Sequence, residues 1–334
     1  VWFLLLVGYG YWSWKQAIVQ YDARQDYFYF LALAGCLIIT QFVFTGKNAL
    51  RILVISIIAL ALFESIYALV QFVTNSSQVL FAKKPDQYLG RASGTFIGPA
   101  HGAFFMSIGA MLAIPLALAG NYHRVWRALL LLSGAACLLG SVVTFSRGAL
   151  VGTAVAMASL GVWLFFFERR RILGSSMLAL ILVLATAGGI FFAQKLQADS
   201  RYTLAGVRLT RLWPASVEMW KTQHIVCHGP GQFTHVYRQF RPAVTHATGH
   251  PKRAHNDYLN VLVDGGVVGL LFGITILGLC VPAFFSWGKP AEEEGWNASR
   301  EHRAIRVGFA IAAVYICVSL GSDFNLYITS NGLL

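Results

Sequence analysis

The feature that most constrains this chain is the recurrence of apolar runs long enough to cross a bilayer. Eight are read from the sequence: Tyr27–Thr45, Ile52–Val73, Phe96–Ala119, Ala128–Phe145, Ala149–Phe167, Ile172–Ala193, Tyr258–Phe285 and Val307–Gly321. A helix needs about 20 apolar residues to span the hydrocarbon core. Only 12% of the 334 residues are charged and 57% are hydrophobic, where soluble domains carry about 25% charged residues. The expected fold class is therefore all-α, a polytopic transmembrane helical bundle. Val1–Trp14 is shorter than a span, so counting a clipped first segment makes nine helices. Both ends are expected to be truncated, and no separate signal peptide is read.

The connectors set the orientation. Lys47 and Arg51, Arg124 and Arg127, and Arg169, Arg170 and Arg171 sit in very short turns, which the positive-inside rule makes cytoplasmic. The polar stretch Trp287–Arg306 falls on the same side. Alternation then sends Lys15–Asp26, Thr74–Thr95, Ser146-Arg147-Gly148 and the long loop Gln194–Asp257 outside. The expected organisation is transmembrane helices over 1–193, an outer cap loop over 194–257, and C-terminal transmembrane helices over 258–334.

The formal net charge is +12, and its placement is informative. The long loop carries Lys195, Arg201, Arg208, Arg211, Lys221, Arg238, Arg241, Lys252 and Arg253 against Asp199, Glu218 and Asp257. Long loops escape the positive-inside rule, so the excess suits an anionic ligand on the outer side; attraction to anionic headgroups is the plainer alternative. Nucleic acid is not an expected partner of a polytopic membrane protein. Leu204, Val207, Trp213, Val217 and Trp220 recur at helical spacing, as do Phe233, Tyr237 and Phe240, with Pro242 ending that run. His228-Gly229-Pro230-Gly231 reads as a tight turn. Two or three amphipathic helices lying on the bundle as a cap are expected.

The chemical end is expected at His246–Gly266, HATGHPKRAHNDYLNVLVDGG, because ionisable side chains at the edge of a bilayer mark functional sites. His255 is the candidate proton acceptor, with Asn256 and Asp257 supporting it; a solvated interfacial histidine is the alternative. Arg147, in TFSRGALVG, and Arg91, in GRASGTF, are read at one depth on the outer side. Two guanidiniums there make a bidentate clamp for phosphate oxygens, unless each merely snorkels to the headgroups.

Other polar residues carry less. His224/His228 and His246/His250 have i, i+4 spacing, which can bind zinc. No HExxH accompanies them and carboxylates are scarce, so no metal is assigned. The five cysteines show no CxxC spacing and are read as packing residues. Glu64, inside an early span, is read as a helix contact. Gly94, Gly98, Gly102 and Gly109 are read as small-residue contacts along a span rather than a phosphate loop.

Five pieces in order then resemble one family. RASGTFIGPAHGAF, the SRG turn, an Arg/Trp segment followed by HGPGQF, AHNDYLNVLVDGGVVGL and the later DFNL (Asp323–Leu326) are similar to the O-antigen ligases. That group includes lipopolysaccharide O-antigen ligases, polysaccharide polymerases and protein O-oligosaccharyltransferases. The resemblance implies transfer of a glycan from an undecaprenyl-pyrophosphate carrier to an acceptor hydroxyl, such as a lipid A core sugar. The transfer would occur at the periplasmic face of a bacterial inner membrane, with inversion and with no cofactor, metal or ATP. It maps the catalytic histidine to His255 and the SRG arginine to Arg147. The loop arginine maps to Arg211 or Arg208, because RLTRLW matches the usual Arg-to-Trp spacing with neither. Gly98–His101 reads GPAH where the family often has NPNH, so the amides expected there are missing. A transporter or flippase of lipid-linked sugars is the rival from another class; it would show internal pseudo-symmetry and broken helices, neither of which is apparent in the sequence.

Overall fold

A computed structural model gives the fold and describes residues 2–43, 47–195, 208–223, 225, 228–240, 251–285 and 296–328. Among these, eleven α-helices follow in order: α1 Trp2–Gln16, α2 Gln20–Val43, α3 Lys47–Val73, α4 Pro99–Ala119, α5 Arg124–Val142, α6 Arg147–Phe166, α7 Arg171–Lys195, α8 Trp213–Thr222, α9 Phe233–Phe240, α10 Asp257–Phe285 and α11 Trp296–Leu320. Among the described residues strand is confined to one two-stranded hairpin, Gln78–Val79 with Ala82–Lys83. Six helices among the described residues are long and apolar enough to cross a membrane. The chain is an all-α, multi-pass membrane protein.

Every expected span coincides with a helix, but several connectors do not survive. Lys15–Asp26, read as a connector on the outer side, is largely helical: α1 runs to Gln16 and α2 begins at Gln20. Trp296–Arg306, expected as polar connector, forms the first turns of α11. Its charges are neutralised there: Arg51 pairs with Glu301 and Arg303 with Glu168, while Tyr122 donates to Glu301 at 2.8 Å. Arg147 and Gly148 belong to α6, with Ser146 at its N-cap. Gly94 and Gly98 precede α4 rather than lying along it.

The chain divides into two compact units. One comprises Val43–Gly188 and Val281–Ser319. Its centre is α4, apolar almost throughout and buried on nearly all sides, against which α3, α5, α6 and α11 pack. Small residues let the backbones approach. A Cβ on Gly109 would stand 2.2 Å from the Ala61 side chain, and one on Gly140 would stand 2.7 Å from Ser65. The outward stripe of α3, with Phe63, Ile66, Val70 and Val73 exposed, suits lipid.

The loop before α4 is stitched down by side chains of α3. Glu64 accepts from the Thr95 amide (2.7 Å) and hydroxyl (2.6 Å). Gln71 accepts from the amides of Ser93 and Gly94 and donates to the Gly94 carbonyl. Glu64 is thus a fixing point for the RASGT segment, not a helix contact. Gly102 is required as well: a Cβ there would lie 2.2 Å from the Ser93 carbonyl oxygen.

The other unit comprises Val1–Phe42, Gly189–Cys280 and Leu320–Leu334. The expected amphipathic helices are present as α8 and α9. Their buried stripe is Leu212, Ala215 and Met219 with Phe233, Val236 and Tyr237, completed by Ala254 and Val263. Trp213 and Trp220, read among the apolar residues at helical spacing, flank this cluster. Leu204, Val207 and Pro242 lie outside the described residues.

Candidate active site

In this second unit, α10 is not continuous. Gly266 adopts φ 61, ψ −168 and breaks the helix, a conformation open to glycine because it lacks a Cβ. Tyr258–Phe285 was read as one span; the Gly-Gly pair inside it ends one helix and begins the next. A break strands the carbonyls of the preceding turn, and each needs a donor. The amides of His228 and Gly229 donate to Val263 and Asp264 (3.4 and 3.2 Å), and the Tyr9 hydroxyl donates to Gly265 at 2.6 Å. The HGPG turn is thereby explained as a plug for the broken helix. Gly229 and Gly231 take φ 104 and 70 so that the turn can lie against α1 and α2. Gln232, fully buried, completes the dock by bonding both the amide and carbonyl of Val19 (2.8 and 3.0 Å).

The N-terminal end of α10 presents the candidate base. Asn256 caps the helix, its Oδ1 accepting from the Leu259 amide at 3.1 Å. His255, one residue earlier, sits at φ 51, an uncommon conformation for a residue other than glycine. That turn directs the imidazole to Asp323, with Nδ1 2.9 Å from Oδ1. The Phe324 ring meets the imidazole edge-on at 4.9 Å. The carboxylate can only accept, so Nδ1 donates to it, and in the neutral imidazole that leaves the lone pair on Nε2. Among the described residues nothing hydrogen-bonds Nε2. The His255 side chain is 27% exposed against 12% for Asp323, which leaves the pair one open side.

The turn that supplies Asp323 is held from several directions. The buried Asp257 accepts from the Leu326 amide at 3.1 Å. Tyr29 of α2 donates to the Leu326 carbonyl at 2.7 Å. Asn260 donates to Tyr327 (2.8 Å) and to Asp264 (2.9 Å) and accepts from the Ala254 amide. Asn256 and Asp257 thus fix the backbone on either side of the His255–Asp323 pair.

Arg253 joins the same network and corrects one expectation. It was counted among cations awaiting an anionic ligand. The structure turns it inward, 2.7 and 2.9 Å from the two oxygens of Asp26 and 3.4 Å from Asp264. Its guanidinium lies 3.8 Å from the centre of the Tyr327 ring. Burial acts to lower its pKa, but Tyr327, Asp26 and Asp264 outweigh that and raise it, holding the cation protonated. Lys221 is likewise paired, with Glu218 at 2.8 Å, and His235 with Asp22 at 2.7 Å. Part of the loop's basic excess is thus spent internally.

Arg208 and Arg211, like Arg238 and Lys252, form none of these pairs. The first two lie on a single π-helical turn, Arg208–Leu212, leading into α8, and among the described residues neither has an ion-pair partner. Leu212 and Ala254, the neighbours of Arg211 and His255, share one apolar cluster. Of the paired histidines, His224, His246 and His250 lie outside the described residues. His228 is buried and bonded to the Met219 carbonyl (3.0 Å). It lies beyond the end of α8. No cluster of three metal-binding side chains occurs among the described residues.

In the first unit Arg91 and Arg147 come to one end. Arg91 donates to the carbonyls of Thr144 (2.9 Å) and Phe145 (3.3 Å), in the turn that leads into Arg147 at the start of α6. Arg91 thus braces the turn that carries Arg147.

Asp323 is the member of the His255–Asp323 pair that motif reading left without a role. The cue was the same one that picked out His255: an acid at the very end of the last span.

The O-antigen ligase family model (Wzy_C) matches residues 129–274. The match includes Arg147, Arg208, Arg211 and His255 and leaves Arg91 and Asp323 outside it. No curated protein matches the chain.

Proposed function

We propose that this chain, a member of the O-antigen ligase family through residues 129–274, transfers a glycan from undecaprenyl pyrophosphate to an acceptor hydroxyl at the periplasmic face. The acceptor is a lipid A core sugar in this reading. Polysaccharide polymerisation, or protein O-glycosylation, is the alternative within the same group. The single observation that carries the chemistry is the His255–Asp323 pair. An imidazole with Nδ1–H committed to a carboxylate and Nε2 open is arranged to accept a proton from an alcohol. The acceptor oxygen attacks the anomeric carbon, the C–O bond to the diphosphate breaks, and the alcohol proton passes to Nε2. Attack opposite the leaving diphosphate inverts that centre.

Diphosphate is already a good leaving group, so the protein's remaining task is to spread the negative charge that develops on it. Preorganised guanidiniums do this well at a water-poor boundary. Arg208 or Arg211 is assigned that role in the unit that carries His255; for Arg147 the same role is proposed from the sequence resemblance alone. Arg91 contributes by holding the turn before Arg147. Broken helices are a feature of transporters, but the carbonyls freed at Gly266 are capped by protein donors, so the break gives no ion site among the described residues.

The test is incubation of purified protein with a lipid-linked glycan and candidate acceptors, with chelator present and ATP absent. Glycan joined to lipid A core supports the ligase reading. Lengthening of the carrier-linked glycan replaces it with polymerase. Release of neither product refutes both.

A further inference from the structure

We propose that the hairpin after α3 is a membrane wedge, its tip residues Leu80 and Phe81 inserted among the acyl chains of the leaflet at the C-terminal end of α3. The strands pair Gln78 with Lys83 and Val79 with Ala82, so the turn is the two residues Leu80-Phe81. Such turns favour glycine or asparagine. Here Leu80 is held at φ 50, a strained conformation for a bulky side chain. Neither tip residue serves the hairpin's own packing: Val79 is the buried one, while Leu80 is 53% and Phe81 103% exposed.

The direction of the hairpin decides what surrounds the tip. Gln71 donates to the Gln78 carbonyl at 3.0 Å, and the Leu80 amide donates to the Tyr67 hydroxyl at 2.9 Å. Tyr67 and Gln71 are one turn apart on α3, with Tyr67 the farther from its end. The first strand therefore runs back down the helix instead of away from it. At a rise of 1.5 Å per residue, Tyr67 lies about 9 Å below Val73. That is the depth at which interfacial elements bury their apolar faces, about 5–10 Å into the headgroup and acyl boundary.

Surroundings and charge agree with lipid as the occupant. Ile66, Val70 and Val73 form an exposed stripe on α3, so the tip continues an apolar surface that a spanning helix already shows to lipid. Lys83, opposite Gln78, is exposed at the level of Gln71, where its stem can reach up to anionic headgroups. Lys84 is buried and ties the base of the hairpin to the Arg91 carbonyl at 2.8 Å. The wedge is thereby fastened to the segment that carries Arg91.

The experiment places a nitroxide at position 81 (Phe81→Cys) or, as control, at position 87 (Gln87→Cys). Both are made with the five native cysteines replaced by alanine, and the protein is reconstituted in bilayers containing anionic lipid. The expected ratio of oxygen to aqueous-nickel collisions is at least about tenfold higher at 81 than at 87. Free nickel access at 81 would put the tip in water and overturn the proposal. Low access of both quenchers would put protein over it, with the same consequence. If the cysteine-free background fails to fold, Phe81→Trp in the native sequence takes its place. Added tryptophan emission quenched by brominated acyl chains is then expected, and emission that they do not quench would refute the insertion.

Discussion

Replacing Arg253 by methionine separates two accounts of the basic loop. The structure makes this residue a latch: one guanidinium faces Asp26 and Asp264 and lies over Tyr327. These partners sit on α2, on α10 and in the turn that follows α11. Methionine keeps much of the apolar stem and removes the charge, which leaves two buried carboxylates uncompensated. Breaking a buried ion pair by removing one partner costs about 3–5 kcal/mol, and the ring contact adds up to about 1–2 kcal/mol. A loss of that size lowers the thermal midpoint by roughly 5–10 °C for a chain this long. The double variant Arg253→Met/Asp26→Asn removes one of the stranded charges and should recover about half of the loss, a non-additivity expected of residues in contact. Thermal unfolding of the detergent-solubilised protein reads all three. A wild-type midpoint for Arg253→Met, together with weakened binding of lipid-linked diphosphate, would refute the latch and restore Arg253 as a ligand cation.

Two further outcomes follow from single contacts. Asp323→Asn keeps the shape beside His255 but weakens the acceptor that fixes its tautomer. The turnover rate should fall by about tenfold or more with the KM for donor little changed, and a shift in KM alone would count against a positioning role. Gly102→Ala would push a methyl group to 2.2 Å from the Ser93 carbonyl. It should cost about 1–3 kcal/mol by overpacking, visible as a lowered midpoint; an unchanged midpoint would show that the RASGT segment yields freely.

The sequence disclosed those parts of the molecule that rest on local pattern. Spanning runs announced the helices, small residues announced Gly102 and Gly109, and the histidine at a membrane edge announced His255. What escaped depends on partners distant in the chain. Asp323 stands 68 residues from His255 and Asp26 stands 227 residues from Arg253, so no spacing rule connects them. Net charge misled for the same reason, since a tally of loop cations cannot see the carboxylates on α2 and α10 that answer them. Gly265-Gly266 lies inside Tyr258–Phe285, which the sequence presented as one continuous span. Only the amides of the HGPG turn, folded against the freed carbonyls, show that the helix is interrupted there. The hairpin at 78–83 had no signal at all, because its turn uses leucine and phenylalanine where a hairpin is normally read from asparagine and glycine.

The central claim is that Nε2 of His255 takes the acceptor's proton. Its most direct test is the single-turnover rate of glycan transfer by His255→Ala in proteoliposomes loaded with lipid-linked donor, with the thermal midpoint confirming that the variant is folded. Loss of a general base predicts a rate lower by about 10²–10⁴-fold with donor still bound. A folded variant that transfers glycan within about twofold of the wild-type rate, where loss of a base would cost at least a hundredfold, would contradict it.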